Sequence, residues 1–128
     1  MPIDSFYEWK KTVTGKQPYA IALADRGIMA LAGVWENWHS PAGEWVRSFA
    51  IITTEPNELC AALHNRMPVV LAPEAWPKWL GEVTADLPHL KASLAPYPSD
   101  DMISWPVSAG VGNVRNNDSS LIEPVATA

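Results

Sequence analysis

Glu8, His64 and Cys60 are the residues whose types and surroundings could do covalent or proton-transfer chemistry. Glu8 lies between Tyr7 and Trp9 in the run Ser5-Phe6-Tyr7-Glu8-Trp9-Lys10. A carboxylate held between aromatics in a strand can pass a proton to and from a substrate. His64 precedes Asn65, Arg66, Met67 and Pro68, and imidazole is the side chain suited to proton exchange near neutral pH. Each residue also has an ordinary reading: Glu8 as an edge-strand carboxylate paired with Lys10 or Lys11, and His64 as the cap of a helix. His39, expected in a turn, and His89, expected in a helix, read as solvated. Cys60 sits in the apolar stretch Leu59–Leu63, which suits a small core residue better than a nucleophile. The spacings of His, Cys, Asp and Glu match no zinc pattern. Gly110-Val111-Gly112 runs into Asn-Val-Arg instead of opening a helix, so no phosphate-cradling loop is implied. No metal or cofactor is expected, and residue types alone stop at a candidate Glu/His pair.

The elements that must position this pair follow from periodicity. Phe6, Glu8 and Lys10 alternate with Tyr7 and Trp9, the period of a strand. Thr14–Pro18 reads as a turn, Tyr19–Leu23 as a second strand, and Asp25-Arg26-Gly27 as a tight turn. Ile28–Trp35 is nearly all apolar, the pattern of a strand buried on both faces. After a loop at His39–Gly43, Trp45–Thr53 reads as another apolar strand. Four strands joined by short turns imply a largely antiparallel sheet. Thr54-Glu55-Pro56 is expected to open a short helix with Thr54 as its cap, and Pro68 to end it near His64–Arg66. Met67–Leu71 then resumes as strand. Two further helices are expected, from Pro73 to Leu80 with Gly81 as its stop, and over Asp86–Leu94. Met102–Val107 is the last clear strand, Ser108–Asp118 is ordered loop or short strand, and residues 123–128 are expected to fray. The fold class is α+β: mostly antiparallel sheet or open barrel with a few short helices.

A chain of 128 residues, 48% apolar and 18% charged, makes one domain (residues 1–128) with a packed core. Its formal net charge of −5 excludes a general nucleic-acid coat, which would be basic. The charge is uneven: residues 1–66 carry six Lys/Arg against seven Asp/Glu, and residues 67–128 three against seven. If the chain has a DNA-binding face, it is therefore expected in the N-terminal half. Seven tryptophans are spread along the chain; most read as core or half-buried surface, with a minority available as stacking platforms for bases. One cysteine permits no disulfide framework. There is no 18-residue apolar run and no signal-peptide pattern, which points to a soluble protein of the cytoplasm.

Several motifs, in order, carry a family resemblance. Pro2-Ile3-Asp4-Ser5-Phe6-Tyr7-Glu8-Trp9 is similar to the P-x-x-G-F-Y-E-W signature of the SOS response-associated peptidase family. Gln17-Pro18-Tyr19 and Ala32-Gly33-Val34-Trp35-Glu36 follow in the family's order. Thr53-Thr54-Glu55-Pro56-Asn57 and His64-Asn65-Arg66-Met67-Pro68 match its second signature. Pro106-Val107-Ser108 and Gly112-Asn113-Val114-Arg115-Asn116 resemble its closing segment. The resemblance covers nearly the whole chain and implies that Glu8 and His64 flank the active site. It implies capture of abasic sites in single-stranded DNA. The α-amine of an N-terminal cysteine attacks the open-chain aldehyde, and its thiol closes the Schiff base into a thiazolidine, with Glu8 and His64 moving protons. Autoproteolysis by the same site makes the family hydrolases, and the abasic-site chemistry has lyase character. Lys10, Lys11, Arg66 and Arg115 are the expected phosphate contacts. The resemblance covers only the C-terminal portion of the family's domain, so the chain is expected to lack the nucleophilic cysteine. Pro2 matches an interior motif proline and so is no surrogate nucleophile, and Ser5 stands where the family favours glycine. Three roles follow as expectations. The chain is one part of an abasic-site processing protein completed by an N-terminal fragment or by self-association; or it is a non-covalent single-stranded DNA binding module; or it is an inactive remnant. The expected location is cytoplasmic, on the nucleoid when bound to DNA.

Overall fold

The computed structural model describes residues 1–127. Its strands are β1 (Pro2–Ile3), β2 (Phe6–Thr12), β3 (Gly15–Leu23), β4 (Met29–Leu31), β5 (Gly33–His39), β6 (Trp45–Ile51), β7 (Thr53–Thr54), β8 (Met67–Pro68), β9 (Val70–Leu71) and β10 (Met102–Pro106). The helices are α1 (Glu58–Ala61), α2 (Trp76–Trp79) and α3 (Leu87–Ala92), with short 3₁₀ turns between and after them. Every strand pair is antiparallel, in sheets ordered β1–β4–β9, β10–β3–β2, β5–β6 and β7–β8. The chain is therefore α+β as its periodicity implies, and among the described residues the strands close no barrel.

β3 is the central strand, and its alternation builds two core layers. Ile21 points to one face and packs with Cys60 of α1, Met67 and Met102. Ala22 points to the other and packs with Met29, Leu31 and Val70 of the β1–β4–β9 sheet. Period-two alternation is what lets one strand serve both layers. β3 begins at Gly15, earlier than Tyr19, because the reversal occurs within Val13-Thr14 and Gly15 takes φ 147°, a conformation that glycine alone adopts without strain. Pro18, read as part of that turn, is instead a strand residue opposite Trp9.

The apolar run Ile28–Trp35 is not one buried strand. It breaks at Ala32 into β4 and β5, and β5 is largely exposed. Trp45–Thr53 likewise breaks at Ile52 and Met67–Leu71 at Val69. The three breaks meet: Ala32 N–H donates to the Val69 carbonyl, Val69 N–H to Ile52, and Ile52 N–H to Ala32, each at 2.9 Å. The result is a three-way junction at which every strand changes partner, a corner of the kind that lets strands switch sheets. The ring of bonds satisfies backbone groups at two fully buried residues, Ala32 and Val69. Periodicity cannot register such a corner, since all three residues are apolar and look like strand continuation.

Several helix boundaries also differ from expectation. α1 is capped by Asn57, not Thr54, whose backbone is held in β7 against Met67. The helix ends at Ala61, before His64, and the chain reaches Pro68 through a turn. α2 stops before Gly81 (φ 75°), as the sequence suggests; α3 runs only over Leu87–Ala92, shorter than the expected Asp86–Leu94, because the Asp86 side chain caps it from outside by accepting from His89 N–H. His89 lies in α3, where its Nδ1 hydrogen-bonds the Asp86 carboxylate, an ion pair only when the ring is protonated; among the described residues there is no other salt bridge. The tail is held as far as Val125, against the expectation that it frays from residue 123. Val107 bridges Pro124, Val125 N–H donates to the Pro106 carbonyl at 2.9 Å, and the Trp105 indole N–H donates to Ile122 at 2.7 Å. Ala128 lies outside the described residues. No described helix is long and apolar enough to cross a membrane.

Candidate active site

β2 and the turn after α1 face each other across an open cleft of about 490 Å³. Trp9, Lys10 and Lys11 form one wall; Ala61, Ala62, Leu63, His64 and Asn65 form the other. β2 extends beyond the buried part of β3, so its C-terminal half is exposed and its lysines are free to meet a ligand. Among the described residues neither lysine makes an ion pair, and Glu8 is not engaged by Lys10 or Lys11, so the paired edge-strand reading of Glu8 does not describe it.

His64 hangs from α1, its backbone N–H donating to the Cys60 carbonyl at 2.9 Å. Its ring is held by the backbone of Arg66. Arg66 N–H lies 3.2 Å from Nδ1 and the Arg66 carbonyl 3.3 Å from the same atom. One residue therefore offers Nδ1 both a donor and an acceptor. With the proton on Nδ1 it donates to the carbonyl and leaves Nε2 bare as a base. With Nδ1 bare it accepts the N–H, and Nε2 carries the proton. The ring keeps its place in either role.

Glu8 is half-buried and does not line the cleft, but it lies beside α1. Phe6, two residues earlier on the same face of β2, packs against the cluster that holds Cys60; burial, and then the negative charge of Glu8, push the Cys60 thiol up to about 11. A buried thiol so disfavoured as thiolate is a core group, as its apolar neighbours suggest, and not a nucleophile.

The cations divide by position. Lys10 and Lys11 are in the cleft. Arg66 is bound to Thr53, its Nη2 to the carbonyl at 2.8 Å and to Oγ1 at 3.0 Å, which ties β8's entrance to β7 and fixes the backbone that holds His64. Arg115 is exposed in the turn where its N–H donates to Asn113 Oδ1, and it does not line the cleft. Two contributors escape a sequence reading based on charge and proton chemistry. Trp9 is 37% exposed and presents an aromatic face beside the lysines, a signal carried only by its alternation with them. Asn57 anchors the foot of α1: Oδ1 accepts from Cys60 N–H at 2.9 Å and Nδ2 donates to the Tyr97 carbonyl at 2.7 Å.

Comparison with known proteins adds a lineage to this geometry. A family model described as SOS response associated peptidase (SRAP) matches residues 1–114. The abasic site processing protein YoqW of Bacillus subtilis is 42% identical over 96% of this chain and 55% of its own length. The abasic site processing protein HMCES of Gallus gallus is 32% identical over 95% of this chain and 42% of its own. A crystal structure of a Bacteroides thetaiotaomicron protein superposes with a TM-score of 0.87 at 26% identity, covering 98% of this chain and 56% of that one. The chain thus spans about half the length of the relatives it matches.

Proposed function

Because the chain belongs to the SOS response associated peptidase family, we propose that its cleft is one wall of a centre that processes abasic sites in single-stranded DNA. The observation that carries this reading is the convergence of Trp9, Lys10 and Lys11 with His64 across one open cleft. Lysines beside an exposed indole suit a single strand, whose phosphates need cations and whose bases stack on aromatic faces. Arg66 and Arg115, which do not line the cleft, would supply further phosphate contacts outside it. Arg66 is bonded through Nε and Nη2, and its Nη1, without a protein partner among the described residues, is left for a phosphate oxygen.

Glu8 and His64 move the protons. An α-amine adding to the sugar aldehyde gives a carbinolamine, and loss of water needs a proton delivered to its hydroxyl while one leaves nitrogen. Closure of the Schiff base by a thiol needs one proton removed from sulfur and one placed on nitrogen. The nucleophile is an N-terminal cysteine supplied outside this chain's cleft, since the Cys60 thiol is buried and unreactive. The same pair serves the autopeptidase reaction, and the setting is cytoplasmic DNA repair.

A second reading, non-covalent binding of single strands, is favoured by the fact that the lysine–tryptophan wall is complete within this chain. Titration of plain and abasic oligonucleotides against salt tests the DNA contact common to both readings. Replacing Lys10 and Lys11 together by alanine is expected to flatten the log–log salt slope by about 1.4, at about 0.7 per lost phosphate contact. An unchanged slope removes the cleft from DNA binding. Preference for the abasic strand favours processing, and equal affinity favours the simple binding module.

A further inference from the structure

The β5–β6 hairpin is the least explained part of the molecule. Beyond the three-way junction it stands as a two-stranded sheet, both outer edges unpaired among the described residues. A lone hairpin of this kind is marginal in water. Its large side chains are nonetheless apolar and wet. Trp35, Phe49 and Trp45 on one face and Val34, Trp38 and Val46 on the other are each between 45% and 70% exposed. Apolar groups on both faces of one sheet mark a buried strand pair, and an exposed apolar surface of this extent marks an interface. At its base the Trp79 indole N–H donates to the Gly33 carbonyl at 3.1 Å. Trp79 in turn belongs to an apolar cleft of about 240 Å³ with Met1, Ile28, Leu31, Trp76 and Leu80.

Charge and symmetry narrow the occupant. Between Gly33 and Ile51 the hairpin carries Glu36 and Glu44 against one cation, Arg47, whose guanidinium lies over the Trp35 ring at 5.4 Å. Such a surface lacks the cations that a phosphate backbone requires. A two-fold contact with a second copy uses the same patch on both partners, so it covers one face of the hairpin and leaves the other wet. Both faces and both edges are covered together only by a partner that adds strands and layers. The relatives have the length for this: the chain covers 55% of YoqW and 56% of the Bacteroides structure.

We infer that the β5–β6 hairpin, with the apolar cleft at its base, is a docking arm for the remaining part of the family fold, received as apolar strands that pair with its edges and cover both faces, whether that part comes in the same polypeptide or a companion one. Exposure, unpaired edges and chain length point to this occupant whatever Glu8 and His64 do.

The test mixes this chain with a separate polypeptide comprising the part of YoqW that it does not match, and reads binding without reference to DNA. A one-to-one complex is expected in sedimentation, with amide exchange in the hairpin slowed at least about tenfold. Trp35→Ser with Phe49→Ser is expected to weaken the complex by at least about 100-fold, a far larger effect than the loss in the chain alone of one cross-strand aromatic pair, worth at most about fivefold in its folding equilibrium. A complex indifferent to those substitutions overturns the inference. So does a hairpin covered by a second copy of this chain, or one protected by an oligonucleotide. If the two polypeptides do not associate, joining them in one chain decides the matter. Hairpin amides that exchange as fast in the joined chain as in this chain alone overturn the proposal; protected ones, lost with Trp35→Ser and Phe49→Ser, support it.

Discussion

Exchanging His64 for alanine, in a chimera joining this chain to the unmatched part of YoqW, is expected to slow covalent capture of an abasic strand by about 10²-fold or more. Glu8→Gln is expected to do the same, since an amide cannot carry the proton. His64 is exposed and contributes no core packing; its ring is oriented by the Arg66 backbone and left with Nε2 open. Removing it should leave the melting temperature and the non-covalent affinity for single strands near those of the parent, so that the loss appears in the rate of the chemical step. Capture at the parental rate by both variants would remove proton transfer from their roles. A loss of affinity equal to the loss of rate would make them binding residues instead.

Replacing Asn57 by alanine is expected to destabilise the chain by about 2–3 kcal/mol, combining a lost helix cap with a stranded carbonyl. Four contacts converge on this residue. Its Oδ1 caps α1, Nδ2 donates to the Tyr97 carbonyl at 2.7 Å and lies 3.4 Å from the Met102 sulfur, and its backbone N–H lies 3.2 Å from the Met67 sulfur. Thermal unfolding should show a fall in Tm on the order of 10 °C. Asn57→Asp keeps the cap and loses the bond to Tyr97, so it should recover part of the loss. An alanine variant that melts like the parent would mean that the cap and the Tyr97 bond are replaced by water at no cost. Because α1 carries His64 one turn further on, damage at Asn57 should also blunt capture.

Much of this was readable in the sequence, for identifiable reasons. The alternation of Phe6–Lys10 gives β2, the Gly81 stop bounds α2, and Cys60 is the core thiol its apolar neighbours suggest. These signals are local. What could not be read depends on partners distant in the chain. The breaks at Ala32, Ile52 and Val69 exist because three segments meet and exchange backbone bonds, and no residue type announces that. The exposure of Trp35 and Phe49 contradicts their apolar character, because hydrophobicity records what a residue prefers to have around it and not what this chain provides. At the site, Glu8 and His64 stand out by type, but Arg66 could not be seen to combine a side chain tied to Thr53 with a backbone that steadies an imidazole. Nor does charge mark Asn57, whose bonds to Tyr97 and Met102 span 40 and 45 positions of chain.

The two sulfurs that meet Asn57 have a consequence of a different kind. Met67 and Met102 are 1% and 4% exposed, so the folded chain largely shields both thioethers from peroxide. Oxidation is then expected mainly on transient opening of the core, and the sulfoxide so formed is a bulkier, polar group where a soft acceptor had filled an apolar corner. Reclosure is then hindered at the foot of the helix that carries His64, and each oxidation favours the next opening. A lapse in folding under oxidative stress would thus be written into the protein as a chemical record, erasable by a sulfoxide reductase and otherwise permanent.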